Sequence, residues 1–139
     1  MKNVLSIVLM SVALVLTIFS CATVPKEPLG EGELRLLSIG LPQMGTLSAN
    51  VEYFVTINFE ANGNPEINRA CFYFSGDGRN CVDVRRKDMV YGPRANFRVP
   101  IHVPLGSYRL ECYAEYIRNG ETQRTNTVSS YVTGYEGER

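Results

Sequence analysis

The stretch SYRLECYAEYI, residues 107–117, indicates the fold class of this chain. Its apolar side chains fall at every second position from Tyr108 to Tyr116, and residues such as Arg109 and Glu111 lie between them. A period of two residues is typical of a β-strand with one buried face and one face toward water. Half-buried strands of this kind occur in antiparallel sheets, so the stretch predicts one such strand.

The same alternation recurs along the chain, and Gly-, Asn- and Pro-containing turn sequences such as SGDGRN separate its repeats. Many short strands within about a hundred residues are typical of a β-sandwich. We therefore expect an all-β domain, a single antiparallel β-sandwich of about seven strands. The predicted strands are 34–41, 50–60, 68–75, 80–86, 94–103, 107–117 and 124–133.

The sequence LGSYRLEC at 105–112 resembles the tyrosine-corner region of immunoglobulin-like and fibronectin-like domains. In that region a Tyr hydroxyl bonds back to the preceding turn. The resemblance implies an immunoglobulin-like sandwich in which Tyr108 is the corner residue. The chain has no Trp, so Phe72 or Phe74 is expected to fill the place of the core Trp of true immunoglobulin domains.

The N-terminus has a different pattern from the rest of the chain. Val4–Phe19 contains no charged residue, Gly or Pro, and it follows the positive charge of Lys2. A charged start followed by an apolar run is typical of a secretory signal peptide. An uncleaved transmembrane anchor is the alternative, because the run approaches spanning length when extended through Val24. Both interpretations, like a plain secreted protein, export the remainder of the chain.

The residues that end this apolar run resemble the lipobox of bacterial lipoproteins. Ile18 lies three positions before Cys21, and the small residue Ser20 precedes the cysteine directly. The resemblance implies that the signal is cut before Cys21 and that its thiol carries a lipid. Two or three acyl chains anchor a protein stably where a single chain is marginal. Ala22 is not Asp, which in enteric-type bacteria favours the outer membrane, facing the periplasm or the cell surface.

We therefore expect four segments in the chain. Residues 1–20 form the signal peptide, an apolar helix, and 21–33 form the lipidated cysteine with a flexible tether of polar, Pro and Gly character. Residues 34–135 form the immunoglobulin-like β-sandwich, and 136–139 form a disordered tail.

Three cysteines remain in the domain if Cys21 carries a lipid. An exported chain can keep a disulfide, but three cysteines allow only one bridge within the chain. The strand alternation places Cys71 and Cys81 on the outer face of one hairpin and Cys112 among inward residues, which favours the pair Cys71–Cys81. A bridge from Cys112 to either of the others remains the alternative.

Composition weighs against several classes of function. The chain has 14 basic and 14 acidic residues, so charge gives no reason to expect nucleic-acid binding. Its one histidine, His102, lies between two prolines, and Glu111 and Glu115 lie four positions apart on a strand, roughly 13 Å at the rise per residue. We expect these side chains to be solvated, and we expect a protein that is not an enzyme and holds no cofactor or metal.

Outward-facing aromatic side chains are the remaining candidates for function. Tyr73 and Tyr113 are predicted to be neighbours on one outer sheet face, and exposed Tyr clusters occur at contacts with proteins or sugars. We expect an interaction or structural module of the cell envelope, held at the membrane by lipid on Cys21, whose partner is another envelope protein or a glycan. An accessory carbohydrate-binding module is the alternative function, and ordinary cross-strand pairing is the structural explanation for the same tyrosines.

Overall fold

The computed structural model describes residues 26–76 and 78–137. The predicted signal peptide and Cys21 lie outside the described residues. Within the described ranges, no helix is long and apolar enough to cross a membrane.

The domain is built almost entirely of strands, so the predicted all-β class is confirmed. Two short 3₁₀ segments, Pro42–Gly45 and Arg86–Asp88, interrupt the strands. The strands are β1 Leu34–Gly40, β2 Thr46–Ser48, β3 Glu52–Ala61, β4 Glu66–Phe74, β5 Arg79–Asp83, β6 Met89–Val90, β7 Asn96–His102, β8 Gly106–Arg118, β9 Glu121–Arg124 and β10 Val128–Tyr135.

These strands form two sheets. The four-stranded sheet has the order β1-β3-β7-β6, and the six-stranded sheet has the order β2-β10-β8-β4-β5, with β9 paired to β8. All neighbours are antiparallel except β2 and β10, which run parallel. The central strand β8 contains the alternating stretch 107–117, and it pairs with β4 on one side and with β10 and β9 on the other.

The inward faces of the two sheets supply one apolar core. The alternation in the sequence predicts which face is inward because successive strand side chains point to opposite sides. Phe72 and Phe74 are both buried there. The other large core side chains include Leu36, Leu47, Val55, Ile57, Phe59, Ile67, Phe97, Val99, Ile101, Val103, Leu110, Tyr116 and Val132.

All seven predicted strands have counterparts in the structure, but the last was predicted with the wrong extent. The predicted strand 124–133 corresponds to β10, which pairs with the beginning of β8, and only its first residue, Arg124, belongs to the separate strand β9, which pairs with the end of β8. The short strands β2, β6 and β9 were not predicted, because two to four residues carry too little periodicity to detect.

Side chains replace backbone pairing at the break between β9 and β10. The backbone N–H of Thr125 donates to the carbonyl of Ala114 at 2.9 Å, and the Thr125 hydroxyl accepts from the Ala114 N–H at 2.9 Å. The next residue, Asn126, turns its amide to the opposite sheet. Its Oδ1 accepts from the Leu36 N–H at 2.9 Å, and its Nδ2 donates to the Leu36 carbonyl at 3.0 Å. One amide thereby joins β1 to the six-stranded sheet.

The chain crosses from β1 to β2 through a left-handed turn at Pro42–Gly45. Gln43 and Met44 have φ of 50° and 54°, a region uncommon for residues other than glycine. Gly45 also has positive φ, and a Cβ there would lie 2.7 Å from the carbonyl oxygen of Tyr131. Only glycine allows this close approach, which lets β2 follow directly and pair with β10.

Tyr108 makes the bond that the sequence resemblance implies. Its hydroxyl donates to the carbonyl oxygen of Leu105 at 2.7 Å, in the turn that precedes β8. Its ring lies edge-on to Phe74, with 5.8 Å between ring centroids. The bond therefore ties the β7–β8 turn to the start of the central strand.

Residues 26–33, the described part of the predicted tether, contact the domain. The Lys26 ammonium lies 2.8 Å from a Glu60 carboxylate oxygen, and Asn62 donates from its side chain to the carbonyl of Leu29 at 3.1 Å. The Arg118 guanidinium donates to the carbonyl oxygen of Glu31 at 3.0 Å. The backbone also pairs, since N–H groups and carbonyls of Gly32, Glu33 and Asn62 bond at 3.0 Å. We call residues 26–33 the docked segment.

Replacement of Asn126 by Ala should destabilise the domain. The change leaves the N–H and carbonyl of Leu36 unpaired, and this residue is only 2% exposed. Leaving a buried backbone group without a partner costs roughly 1–3 kcal/mol, so we expect a loss of about 2 kcal/mol or more in the free energy of unfolding. Urea denaturation measures it. Thr127→Ala, at the exposed next position, is the matched control and should change stability by less than about 0.5 kcal/mol.

Candidate functional site

The outer face of the six-stranded sheet carries the residues that the sequence selected as a contact face. Strand register places their side chains in rows across neighbouring strands. We define the outer face by the residues Arg69, Cys71, Tyr73, Arg79, Cys81, Asp83, Arg109, Glu111, Tyr113, Glu115, Arg124, Ser129 and Tyr131.

Tyr73 and Tyr113 are neighbours on this face, with 6.0 Å between ring centroids, as predicted. The expectation that Tyr113 is exposed is wrong, because only 1% of it is accessible. The Arg124 guanidinium lies 3.6 Å from its ring centroid, and Arg79 donates to its hydroxyl at 3.0 Å. Strand alternation predicts which sheet face a side chain lies on but not which other side chains cover it. The covering of Tyr113 by Arg79 and Arg124 could therefore not be predicted from the pattern.

The disulfide joins Cys71 and Cys81, the pair favoured by the predicted strand faces. The two residues are directly opposite each other on β4 and β5, with 4.0 Å between their Cα atoms. Cys112 is free and buried on the core side, and burial raises the pKa of its thiol to about 12. A thiol with so high a pKa is an inert core side chain rather than a nucleophile.

One row of the outer face alternates in charge across four strands. Asp83, Arg69, Glu115 and Arg124 succeed one another from β5 to β9. Arg69 binds Glu115 in a two-pronged contact, with Nε–Oε2 at 2.6 Å and Nη2–Oε1 at 3.2 Å. The hydrogen bond from Arg69 lowers the pKa of Glu115, and its charge and those of Arg79 and Arg124 act in the same direction.

Tyr131 is the most exposed aromatic side chain of this face and was missed as a candidate from the sequence. It is 79% exposed on β10, directly opposite Arg109 of β8. Arg109 also lies 3.5 Å from Glu111. The alternation of Val128, Ser130 and Val132 toward the core was the signal that could have placed Tyr131 outward.

The side chains that could take part in catalysis or metal binding do not lie together. His102 is exposed at the end of β7, and Glu111 and Glu115 each pair with a different arginine rather than with each other. Among the described residues, no group of three or more His, Cys, Asp or Glu side chains is placed to hold a metal ion. On the other sheet, the Arg98 guanidinium lies 5.2 Å from the ring centroid of Phe54.

Comparison with known proteins does not assign the chain to a family. No protein-family model matches the sequence, and no curated protein matches it.

Replacement of Arg69 by Met should raise the pKa of Glu115 toward its ordinary value, because the two-pronged contact favours the charged carboxylate. A depressed pKa stabilises the fold above the pKa of the unfolded chain, and this contribution is lost as pH falls through the folded pKa. The stability advantage of the native chain over Arg69→Met should therefore shrink as pH falls below about 4.5.

An NMR titration of the Glu115 carboxyl carbon measures this shift. Arg109→Met is the matched control, since Arg109 pairs with Glu111, and it should leave the Glu115 titration unchanged. A Glu115 pKa that is the same in Arg69→Met and in the native chain would contradict the assignment.

Proposed function

We propose that the domain is immunoglobulin-like. With β1 as A, β2 as A′, β3 as B, β4 as C, β5 as C′, β6 as D, β7 as E, β8 as F and β10 as G, the sheet orders become A-B-E-D and A′-G-F-C-C′. An ABED sheet packed on a GFC sheet is the arrangement of immunoglobulin-type sandwiches. The bond from the Tyr108 hydroxyl to the turn before strand F supports the same interpretation.

The chain is proposed to act as a lipid-anchored, non-enzymatic interaction or structural module of the bacterial cell envelope. The lipobox pattern of Ile18, Ser20 and Cys21 is the observation that carries the anchor. The disulfide between Cys71 and Cys81 independently supports export of the domain, because such bonds persist in exported proteins and are rare in the cytosol.

The proposed contact surface is the outer face defined above, around Tyr73 and Tyr113. Tyr113 acts there as a buried support, since the two arginines that cover it are held in place by its hydroxyl and ring. The groups offered to a partner are therefore Tyr131 and the guanidinium groups of Arg79 and Arg124. Tyr and Arg are the residue types enriched at the energetic centres of protein interfaces.

Metabolic labelling with radioactive palmitate tests the anchor. We expect label in the native chain and none in Cys21→Ser, with a mature N-terminus that begins at Cys21. Cys112→Ser is the control, because this thiol is buried and its replacement should leave labelling unchanged. Label retained by Cys21→Ser, or an N-terminus at another residue, would disprove the lipoprotein assignment.

A carbohydrate-binding module is the second candidate. The ring of Tyr131 is 79% exposed, and it is flanked by polar side chains, a combination that suits the apolar face of a sugar ring with its hydroxyls. On a glycan array, Tyr73→Ala and Tyr131→Ala should each abolish binding if this function is correct. Phe54→Ala, on the opposite sheet, is the control that should retain it. Absence of binding to every glycan would rule this function out.

A further inference from the structure

The free edge of β5 lies beside a cleft between the two sheets. β5 is the last strand of the six-stranded sheet, and none of the described residues pairs with its outer edge. The cleft has a volume of about 520 Å³, within the range of sites that bind small groups. It is lined by Asn64, Glu66, Ile67, Val84, Arg86, Met89 and Tyr91.

The register of β5 determines which backbone groups face the open edge. The N–H of Val84 donates to the carbonyl of Asn68 at 2.9 Å, so even-numbered residues of this strand point their backbone groups toward β4. The neighbouring odd residues Cys81 and Asp83 therefore direct their N–H and carbonyl groups outward. The 4.0 Å between the Cα atoms of Cys71 and Cys81 fits this register, since directly opposite residues that do not exchange hydrogen bonds lie close together.

The disulfide makes this edge rigid. Cys81 is the central residue of the five-residue strand, and its bond to Cys71 fixes the middle of β5 to the buried strand β4. A short edge strand is otherwise free to fray, and a partner would then have to order it on binding. The outward backbone groups of Cys81 and Asp83 are therefore held in position before any partner arrives.

The cleft adjoins the same edge just beyond the end of β5. Its floor is apolar, with Ile67 and Val84 buried and Met89 half-buried. Tyr91 closes one side, where its hydroxyl donates to the carbonyl of Pro65 at 2.6 Å. Arg86 stands at the mouth of the cleft and is exposed. Glu66, also exposed, lines the same cleft, which thus offers an apolar floor with one charged group of each sign around it.

We propose that the β5 edge and this cleft together bind an extended peptide segment of a partner protein, as an added strand with one apolar side chain in the cleft. An edge of alternating N–H and carbonyl groups selects an extended backbone, and a neighbouring pocket selects a side chain. Arg86 and Glu66 favour a charged or polar side chain next to that apolar residue. This site is separate from the lipid anchor and from the outer-face contacts of Tyr131, so it stands or falls independently of the proposed function.

A phage-displayed library of random 12-residue peptides, selected on the full chain in mild detergent, provides the probe. We expect selected peptides to alternate apolar and polar residues and to contain an apolar residue next to a charged one. Asp83→Pro removes one outward N–H at an edge position where Pro is tolerated, so binding should weaken at least about tenfold. Asp83→Ala keeps that N–H and is the matched control, which should bind as the native chain does.

Two further measurements keep the test decisive if Asp83→Pro fails to fold. Bound peptide should slow hydrogen exchange at the amides of Cys81 and Asp83. The exchange rate of the Tyr131 amide should not change. Asn64→Trp, at an exposed position on the cleft, should block binding, whereas Thr122→Trp, exposed on β9, should not. Failure to select any peptide, protection at Tyr131 instead of β5, or full binding by a folded Asp83→Pro would each overturn the proposal.

Discussion

The amide of Asn126 closes the sandwich along one side. A sandwich of two sheets has no backbone hydrogen bonds between its layers, so the layers are held by packing and by the few polar groups that cross the gap. Here one side chain presents the donor and acceptor of a peptide group to Leu36, whose own backbone is buried. Pairing both groups of Leu36 removes the penalty of burying them unsatisfied. Asn126 lies in the break between β9 and β10, where its side chain reaches from the six-stranded sheet to β1 of the other sheet.

The central strand β8 contributes side chains to a different layer on each of its two faces. Its inner face contributes Leu110 and Cys112 to the apolar core, as a half-buried strand should. On its outer face the ring of Tyr113 lies beneath the guanidinium of Arg124, and its hydroxyl accepts a hydrogen bond from the guanidinium of Arg79. Long cationic side chains can cover apolar surface while their charged ends stay in water. Tyr113 is therefore shielded from water at the centre of the outer face, while the two arginines over it remain exposed.

Much of this architecture follows from alternation and turn chemistry alone. The inward faces of β3, β4 and β8 follow from a period of two, and the pairing of Cys71 with Cys81 follows once those faces are assigned. Features that depend on tertiary contact did not follow. The burial of Tyr113 needs arginines from two other strands, and the docking of residues 26–33 needs Glu60, Asn62 and Arg118, which are distant in sequence. A polar segment that contains Pro and Gly has the composition of a flexible tether, and this composition does not show whether the folded domain offers side chains that bind it.

The docked segment also limits how far the domain can stand from a membrane. If Cys21 carries lipid, only residues 22–25 separate the acylated cysteine from Lys26, the first described residue, which contacts Glu60 of the domain. At the 3.3–3.6 Å that an extended chain covers per residue, five steps span at most about 18 Å. Strand β1 starts at this end and the β7–β8 turn lies at the opposite end. The docked segment would then keep its own end of the domain close to the bilayer.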